Sequence, residues 1–117
     1  MENAQHQRKW EREEVVILVV EYFKTKKLSR EEISANQQKI SEFLKHIEEL
    51  VTGSNVPEIF RNYAGIHMQS ARIQSIDPNE KYNGMQATKL QKEIVAEYLE
   101  NPDNLIFEAK NIYDKYK

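Results

Sequence analysis

The sequence predicts an all-α fold, a small bundle of about five helices with a helix-turn-helix-like unit. Three observations favour this class. Apolar residues recur at three- and four-residue steps in several segments, as they do on one face of a helix. Helix-capping residues precede most of these segments, and glycine or proline follows several of them. No segment alternates apolar and polar residues as a half-buried strand would.

Length and charge limit what the chain can be. Its 117 residues suit one domain, and we expect a flexible N-terminal arm over residues 1–9 and a single helical domain over residues 10–117. The chain has 17 Lys and Arg against 19 Asp and Glu, so its net charge does not attract nucleic acid. A nucleic-acid surface would therefore have to be a local basic patch. The absence of cysteine suits a cytoplasmic location. We expect no membrane span, because the longest aliphatic run, residues 15–20, is far shorter than the roughly 20 residues required.

The first helix is predicted from the segment after Trp10, where acidic residues come first, an apolar run follows and lysines come last. This order of charges stabilises a helix through its dipole. The apolar run alone could equally be a buried strand. The charges, and the continuation through Tyr22 and Phe23, favour a helix that is buried on most sides and central to the domain.

Two capping signals precede the second apolar stripe. Ser29 and Glu32 have the spacing of a capping box, which predicts a short turn over residues 29–33. Ser34 and Asn36 offer a second start, after which the helix would run to Gly53, a typical terminator. Its predicted buried stripe consists of Ile40, Phe43, Leu44, Ile47, Leu50 and Val51.

The later helices are delimited by prolines and caps. The third is expected within residues 58–76, with Pro57 in its first turn or just ahead of it, and with Asp77-Pro78 at its end. Thr88 begins the fourth helix as part of another capping box, and Pro102 suits the first turn of the fifth. Their predicted buried residues are Leu90, Ile94, Val95, Tyr98 and Leu99, then Leu105, Ile106, Ala109, Ile112, Tyr113 and Tyr116.

No catalytic, cofactor or metal site is predicted. The three histidines, His6, His46 and His67, fall on separate segments without metal-ligand spacing. The three glycines are too scattered for a phosphate-binding loop. Adjacent glutamates point in different directions on a helix, so they do not form an acid/base pair. We therefore expect a protein that is not an enzyme and has no cofactor.

Residues 61–78 are the strongest candidate for a site, because polar side chains suited to nucleic acid are interleaved there with a core stripe. In a helix-turn-helix the second helix lies in the major groove. Arg72 could contact phosphate or guanine, and Asn62 and Gln69 could read adenine. The spacing of these residues alone favours the interpretation that they are ordinary surface residues, because a sequence encodes helix-turn-helix geometry only weakly. The candidate nucleic-acid-binding residues are Arg61, Asn62, His67, Gln69 and Arg72.

A tryptophan with acidic neighbours leads into an apolar helix that ends in an aromatic pair, as in residues 10–23. A second pattern, an arginine followed by an Ile-x-Met segment and an Ile-Asp-Pro end, is formed by Arg61, Ile66, Met68, Ile76, Asp77 and Pro78. In these two patterns the chain resembles the N-terminal helical domain of HNH-type restriction endonucleases, modification-dependent ones included, and the resemblance covers about residues 10–100. Gln69 and Val95 depart from the family, which usually has a lysine and often a tryptophan there. The opening segment has a weaker similarity to Myb/SANT domains.

The resemblance implies a recognition or accessory domain without nuclease residues, since nothing here matches the HNH module itself. We expect a non-catalytic DNA-binding module of a restriction or phage-defence system, with double-stranded DNA, plain or modified, and an HNH nuclease as partners. The alternative is a protein-interaction module that docks onto a nuclease or forms a homodimer. The acidic balance and the tyrosines at Tyr82, Tyr98, Tyr113 and Tyr116 motivate it, because exposed aromatics mark interfaces.

Overall fold

The computed structural model describes residues 8–82 and 84–117. Five helices account for most of them and no strand occurs among them, so the predicted all-α small bundle is confirmed. Most of the expected arm, His6 included, lies outside the described residues. The helices are α1 (Arg12–Thr25), α2 (Arg30–Thr52), α3 (Tyr63–Gln74), α4 (Lys89–Glu100) and α5 (Pro102–Lys115).

Helix α1 is the centre of the bundle and packs against each of the other four helices. Every residue from Glu14 to Glu21 is buried, as expected for an aliphatic run surrounded on all sides. Helix α2 packs with α3, α4 packs with α5, and both pairs cover α1. Within the described residues, no helix combines the length and the apolar character needed to cross a bilayer.

The helix boundaries follow the predicted caps with one correction. Ser29 and Glu32 form their capping box, but the helix that they start continues without a break to Thr52. The expected second start is wrong, because Ser34 and Asn36 use their side chains to bind other helices instead. A continuous helix needs no internal cap, since its interior amides bind carbonyls of the preceding turn.

The remaining boundaries agree with the sequence. Gly53 ends α2 in the left-handed region, at φ 71°, and donates its N–H to Glu49. Pro57 lies ahead of α3, whose N-cap is Asn62. Thr88 caps α4 through the predicted box, and Pro102 lies in the first turn of α5.

Four residues predicted to be buried are exposed instead. Helix α2 has 23 residues against 14 in α1, and its last turn extends beyond the core, which leaves Leu50 and Val51 in solvent. Leu99 and Ile106 each follow a residue that packs on the core. One residue along a helix is a rotation of about 100°, so these side chains point outward beside the corner between α4 and α5.

Asp77 ties the end of α3 to the end of α1. Its carboxylate accepts hydrogen bonds from Tyr22 Oη, Lys26 Nζ and the main-chain N–H of Asn79. Burial opposes ionisation of Asp77, but these donors, led by Lys26, hold its pKa below the ordinary value. The Asp77-Pro78 helix stop is thus also a tertiary contact.

Candidate functional site

Helix α3 has one buried and one exposed face, as its apolar stripe predicts. Ile66 and Ile73 are fully buried, whereas His67 and Met68 are exposed. Residues 53–62 connect α2 to α3, which is longer than the three- or four-residue turn of a helix-turn-helix. The two helices therefore pack as a pair that is joined by a loop.

Arg61 is a core residue, and this placement differs from the surface position expected for a DNA contact. Its side chain is 1% exposed. Its guanidinium donates to both carboxylate oxygens of Glu14, at 2.9 and 3.1 Å, and to the carbonyls of residues 8 and 9. The guanidinium carbon lies 4.3 Å from the centre of the Trp10 ring and 4.4 Å from that of Phe60. The main chain of Arg61 has φ 46°, an unusual value that its fixed side chain helps to hold.

Glu14 receives a second cation, Arg8, whose side chain also donates to Glu48 on α2. Burial disfavours the charged form of Glu14, but hydrogen bonds from Arg61 and Arg8 outweigh it and hold the pKa of Glu14 below its ordinary value. The resulting Glu14–Arg61–Arg8 cluster joins the start of α1 to the loop before α3 and to α2. Its role in the fold is structural.

The side chains of Asn62 and His67 each form a hydrogen bond within the domain. Asn62 accepts a hydrogen bond from the Gly65 N–H at 2.9 Å and so starts α3. His67 Nδ1 shares a hydrogen bond of 3.0 Å with Gln37 Oε1 of α2 while the residue stays exposed. Of the two, His67 is better situated to meet a partner.

Gln69 and Arg72 face α4 and the loop ahead of it. Gln69 Oε1 accepts from Gln91 Nε2 at 2.6 Å, and Arg72 Nη1 donates to the carbonyl of Gln86 at 2.6 Å. Arg72 Nε is buried and has no hydrogen-bond partner among the described residues. The five candidate residues thus do not form one surface: Arg61 is in the core, Gln69 and Arg72 point toward α4, and His67 lies on the exposed face.

Helices α1, α2 and α3 form a groove of about 590 Å³, here named the central groove. His67 lines it, whereas the other four candidate residues do not. Arg30 at the start of α2 and Glu80 after α3 also line it. Its remaining lining residues are Glu21, Tyr22, Thr25, Lys26, Ile33, Ser34, Asn36, Gln37, Ile40, Ser70, Ala71, Gln74 and Tyr82.

Glu21 is a buried carboxylate that the sequence interpretation missed. It is 7% exposed, and it accepts from Asn36 Nδ2 at 3.1 Å and from Tyr113 Oη at 3.0 Å. The sequence does contain a signal for the burial of Glu21. It lies between Val20 and Tyr22, directly after the apolar run of a helix that is predicted to be buried on most sides.

The tyrosines do not form one exposed patch, which corrects the observation that motivated the protein-interaction alternative. Tyr98 stacks on Phe23 with ring centres 4.3 Å apart, and the hydroxyls of Tyr113 and Tyr116 donate to glutamates of α1. Tyr82 is exposed. The apolar side chains exposed around the corner between α4 and α5 are instead Leu99, Ile106 and Phe107, here named the corner patch.

In residues 8–82 and 84–117, no group of three or more His, Asp or Glu side chains is arranged to hold a metal ion.

The comparisons with known proteins found no match. No protein-family model matches the chain, and no curated protein or solved structure is significantly similar to it.

Proposed function

We propose that this domain is a non-catalytic protein-interaction module. The observation that carries the proposal is the corner patch, three large apolar residues that are exposed near the connection between α4 and α5: Phe107 at 63%, and Ile106 and Leu99 at 46% each. Exposed apolar surface marks interaction sites, and aromatic residues are enriched at interface centres.

A second groove, of about 440 Å³ between α1, α4 and α5, begins beside the corner patch. Ile106 belongs to both, and Val20, Tyr98 and Ala109 add further apolar surface. Lys24 and Asp114 also line this groove and could fix the orientation of a partner. An apolar anchor in a groove with charged groups around it is the usual arrangement of an interaction hot spot.

The proposed partner is a second copy of this chain or an HNH nuclease, as the sequence resemblance suggests. Light scattering and sedimentation at increasing concentration test self-association, and calorimetric titration with an HNH nuclease of the same organism tests the second partner. Phe107→Ser should weaken the association at least about tenfold, since truncation of an aromatic hot-spot residue costs about 2 kcal/mol or more.

Val51→Ser is the matched control, because Val51 is 67% exposed but lies at the end of α2, away from the corner patch. It should leave the association unchanged. A protein that stays monomeric at millimolar concentration and does not bind the nuclease would overturn the proposal, as would equal effects of the two substitutions.

DNA binding is a second candidate, and the observation in its favour is that Arg30 and His67 line the same groove beside the exposed face of α3. A cation and a histidine there could contact a phosphate backbone. Fluorescence anisotropy with plain and modified duplexes should then show affinity that falls steeply with salt.

The variants for this test avoid Arg61, whose loss would disturb the core rather than a surface. Arg30→Ala together with His67→Ala should reduce DNA affinity, and the exposed Lys92→Ala on α4 should not. No binding at low salt, or the same affinity in all three proteins, would argue against this candidate.

A further inference from the structure

The central groove has the size and lining of a small-molecule site. Its volume of about 590 Å³ lies within the range of roughly 300–1,000 Å³ that ligand pockets occupy. Ile33, Ile40 and Ala71 provide apolar surface, and most of the other lining residues, Glu21 and His67 among them, are polar or charged. A cavity with both kinds of surface suits molecules that have an apolar body and a polar end.

Glu21 distinguishes this cavity, because its charge is buried without a cation. Both of its hydrogen bonds come from neutral donors, Asn36 and Tyr113. Across residues 8–82 and 84–117, no Lys, Arg or His nitrogen lies within 4.0 Å of its carboxylate. The buried carboxylates of Glu14 and Asp77, by contrast, each contact a cation directly.

The cations that line the central groove do not offset this charge. Lys26 binds the carboxylate of Asp77 and lies 3.7 Å from that of Glu80. Arg30 is exposed at the start of α2. A carboxylate taken out of water is stabilised by a cation at close range, and Glu21 has none within 4.0 Å in the described part of the chain.

We propose that the central groove binds a small organic cation, an alkylammonium or arylalkylammonium, with its nitrogen at Glu21. The ammonium group supplies the missing positive charge and donates hydrogen bonds to the carboxylate. Its apolar body lies against Ile33, Ile40 and Ala71, and the rings of Tyr22 and His67 border the same space.

The test is a titration of the ¹⁵N-labelled protein, followed by NMR, with three probes of similar shape: 2-phenylethylamine, 2-phenylethanol and phenylacetate. The amine should shift the amide signals of residues that line the central groove, in a saturable way. It should bind at least about tenfold more tightly than the alcohol, because a hydrogen bond to a charged group is stronger than a neutral one. Phenylacetate should not bind there.

Glu21→Gln keeps the shape of the side chain and removes its charge, so it should abolish the preference for the amine over the alcohol. Glu31→Gln is the control for loss of a glutamate charge, since Glu31 is exposed in the first turn of α2 and does not line the groove. Ala71→Leu retains Glu21 and fills the cavity from α3, so it should exclude the amine even if the Glu21 variant does not fold.

Four results would overturn the proposal. The first two are the absence of any shift at the groove and equal affinity for the amine and the alcohol. The third is tighter binding of phenylacetate than of the amine, which would identify an anion site at Arg30. The fourth is amine binding that survives both Glu21→Gln and Ala71→Leu. Glu21 lines the second groove as well as the central groove, whereas Ala71 lines only the central groove and Phe107 lines neither, so Ala71→Leu and Phe107→Ser report loss of amine binding and loss of protein association as separate outcomes.

Discussion

Glu14 and Arg61 are 47 residues apart in the sequence and form an ion pair in the core, with Arg61 Nε 2.9 Å from Glu14 Oε2. The two side chains are 3% and 1% exposed. Arg61 is also held between the rings of Trp10 and Phe60. This contact fixes the loop ahead of α3 against the first turn of α1.

Arg61→Met should lower the free energy of unfolding by about 3–5 kcal/mol, because it leaves the buried Glu14 carboxylate with Arg8 as its one close cation. Urea unfolding measures the change. Lys92→Met on the exposed face of α4 is the control and should stay within about 0.5 kcal/mol of the wild type. A loss below about 1 kcal/mol for Arg61→Met would show that the pair contributes little.

Acid should destabilise the protein as Glu14 becomes protonated. Its pKa in the folded protein lies below the ordinary value of 4.5, so folding is favoured above that value and the stabilisation is lost as the pH falls through the folded pKa. Urea unfolding from neutral pH to about pH 3 should show this decline. In Glu14→Gln the decline should be smaller, and an identical pH profile would mean that other carboxylates cause it.

Loss of the Asp77 carboxylate should separate the ends of α1 and α3. Asp77→Ala removes the acceptor of Tyr22 Oη and Lys26 Nζ, and we expect a loss of about 1–3 kcal/mol. Tyr22→Phe removes one of these bonds and should cost about 1 kcal/mol. Glu93→Ala on the exposed face of α4 removes an exposed carboxylate as the control. Thermal unfolding in which Tyr22→Phe costs as much as Asp77→Ala would contradict the assignment of Asp77 as the centre of the contact.

Gly53 should be hard to replace because its φ of 71° lies in the left-handed region. Gly53→Ala should destabilise the protein by about 1 kcal/mol, although open space surrounds the position. Gly53→Asn should cost less, because asparagine tolerates this conformation better. Calorimetric melting temperatures that are equal for the two variants would indicate that α2 ends in another way in solution.

The helices were predictable because local signals specify them. Capping boxes at Ser29 and Thr88, the glycine at position 53 and the proline at position 102 act over a few residues, so each could be read directly. Where two signals compete, the sequence is ambiguous. Ser34 and Asn36 looked like a cap because the helices that bind them, α3 and α1, are distant in the sequence.

The candidate site was less predictable, because residue type does not show whether a side chain near the start of a helix points into the core or toward solvent. Arg61 has the chemistry of a phosphate contact, yet Glu14 and Trp10, far away in the sequence, draw it into the core. Ile106 matches the helical period of α5 well enough to suggest burial. Its exposure depends on how far the neighbouring helices extend, which the spacing of apolar residues cannot show.

The position of α1 at the centre of the bundle has a consequence for synthesis of the protein. The most apolar helix is synthesised before the helices that cover it, and an interval passes between the synthesis of α2 and α3 and that of α4 and α5. During that interval the aliphatic run of residues 15–20 can be only partly covered, by α2 and α3. Nascent chains that expose such surface are targets for chaperones and prone to aggregation. Expression of this domain should therefore depend on how quickly its C-terminal hairpin is translated.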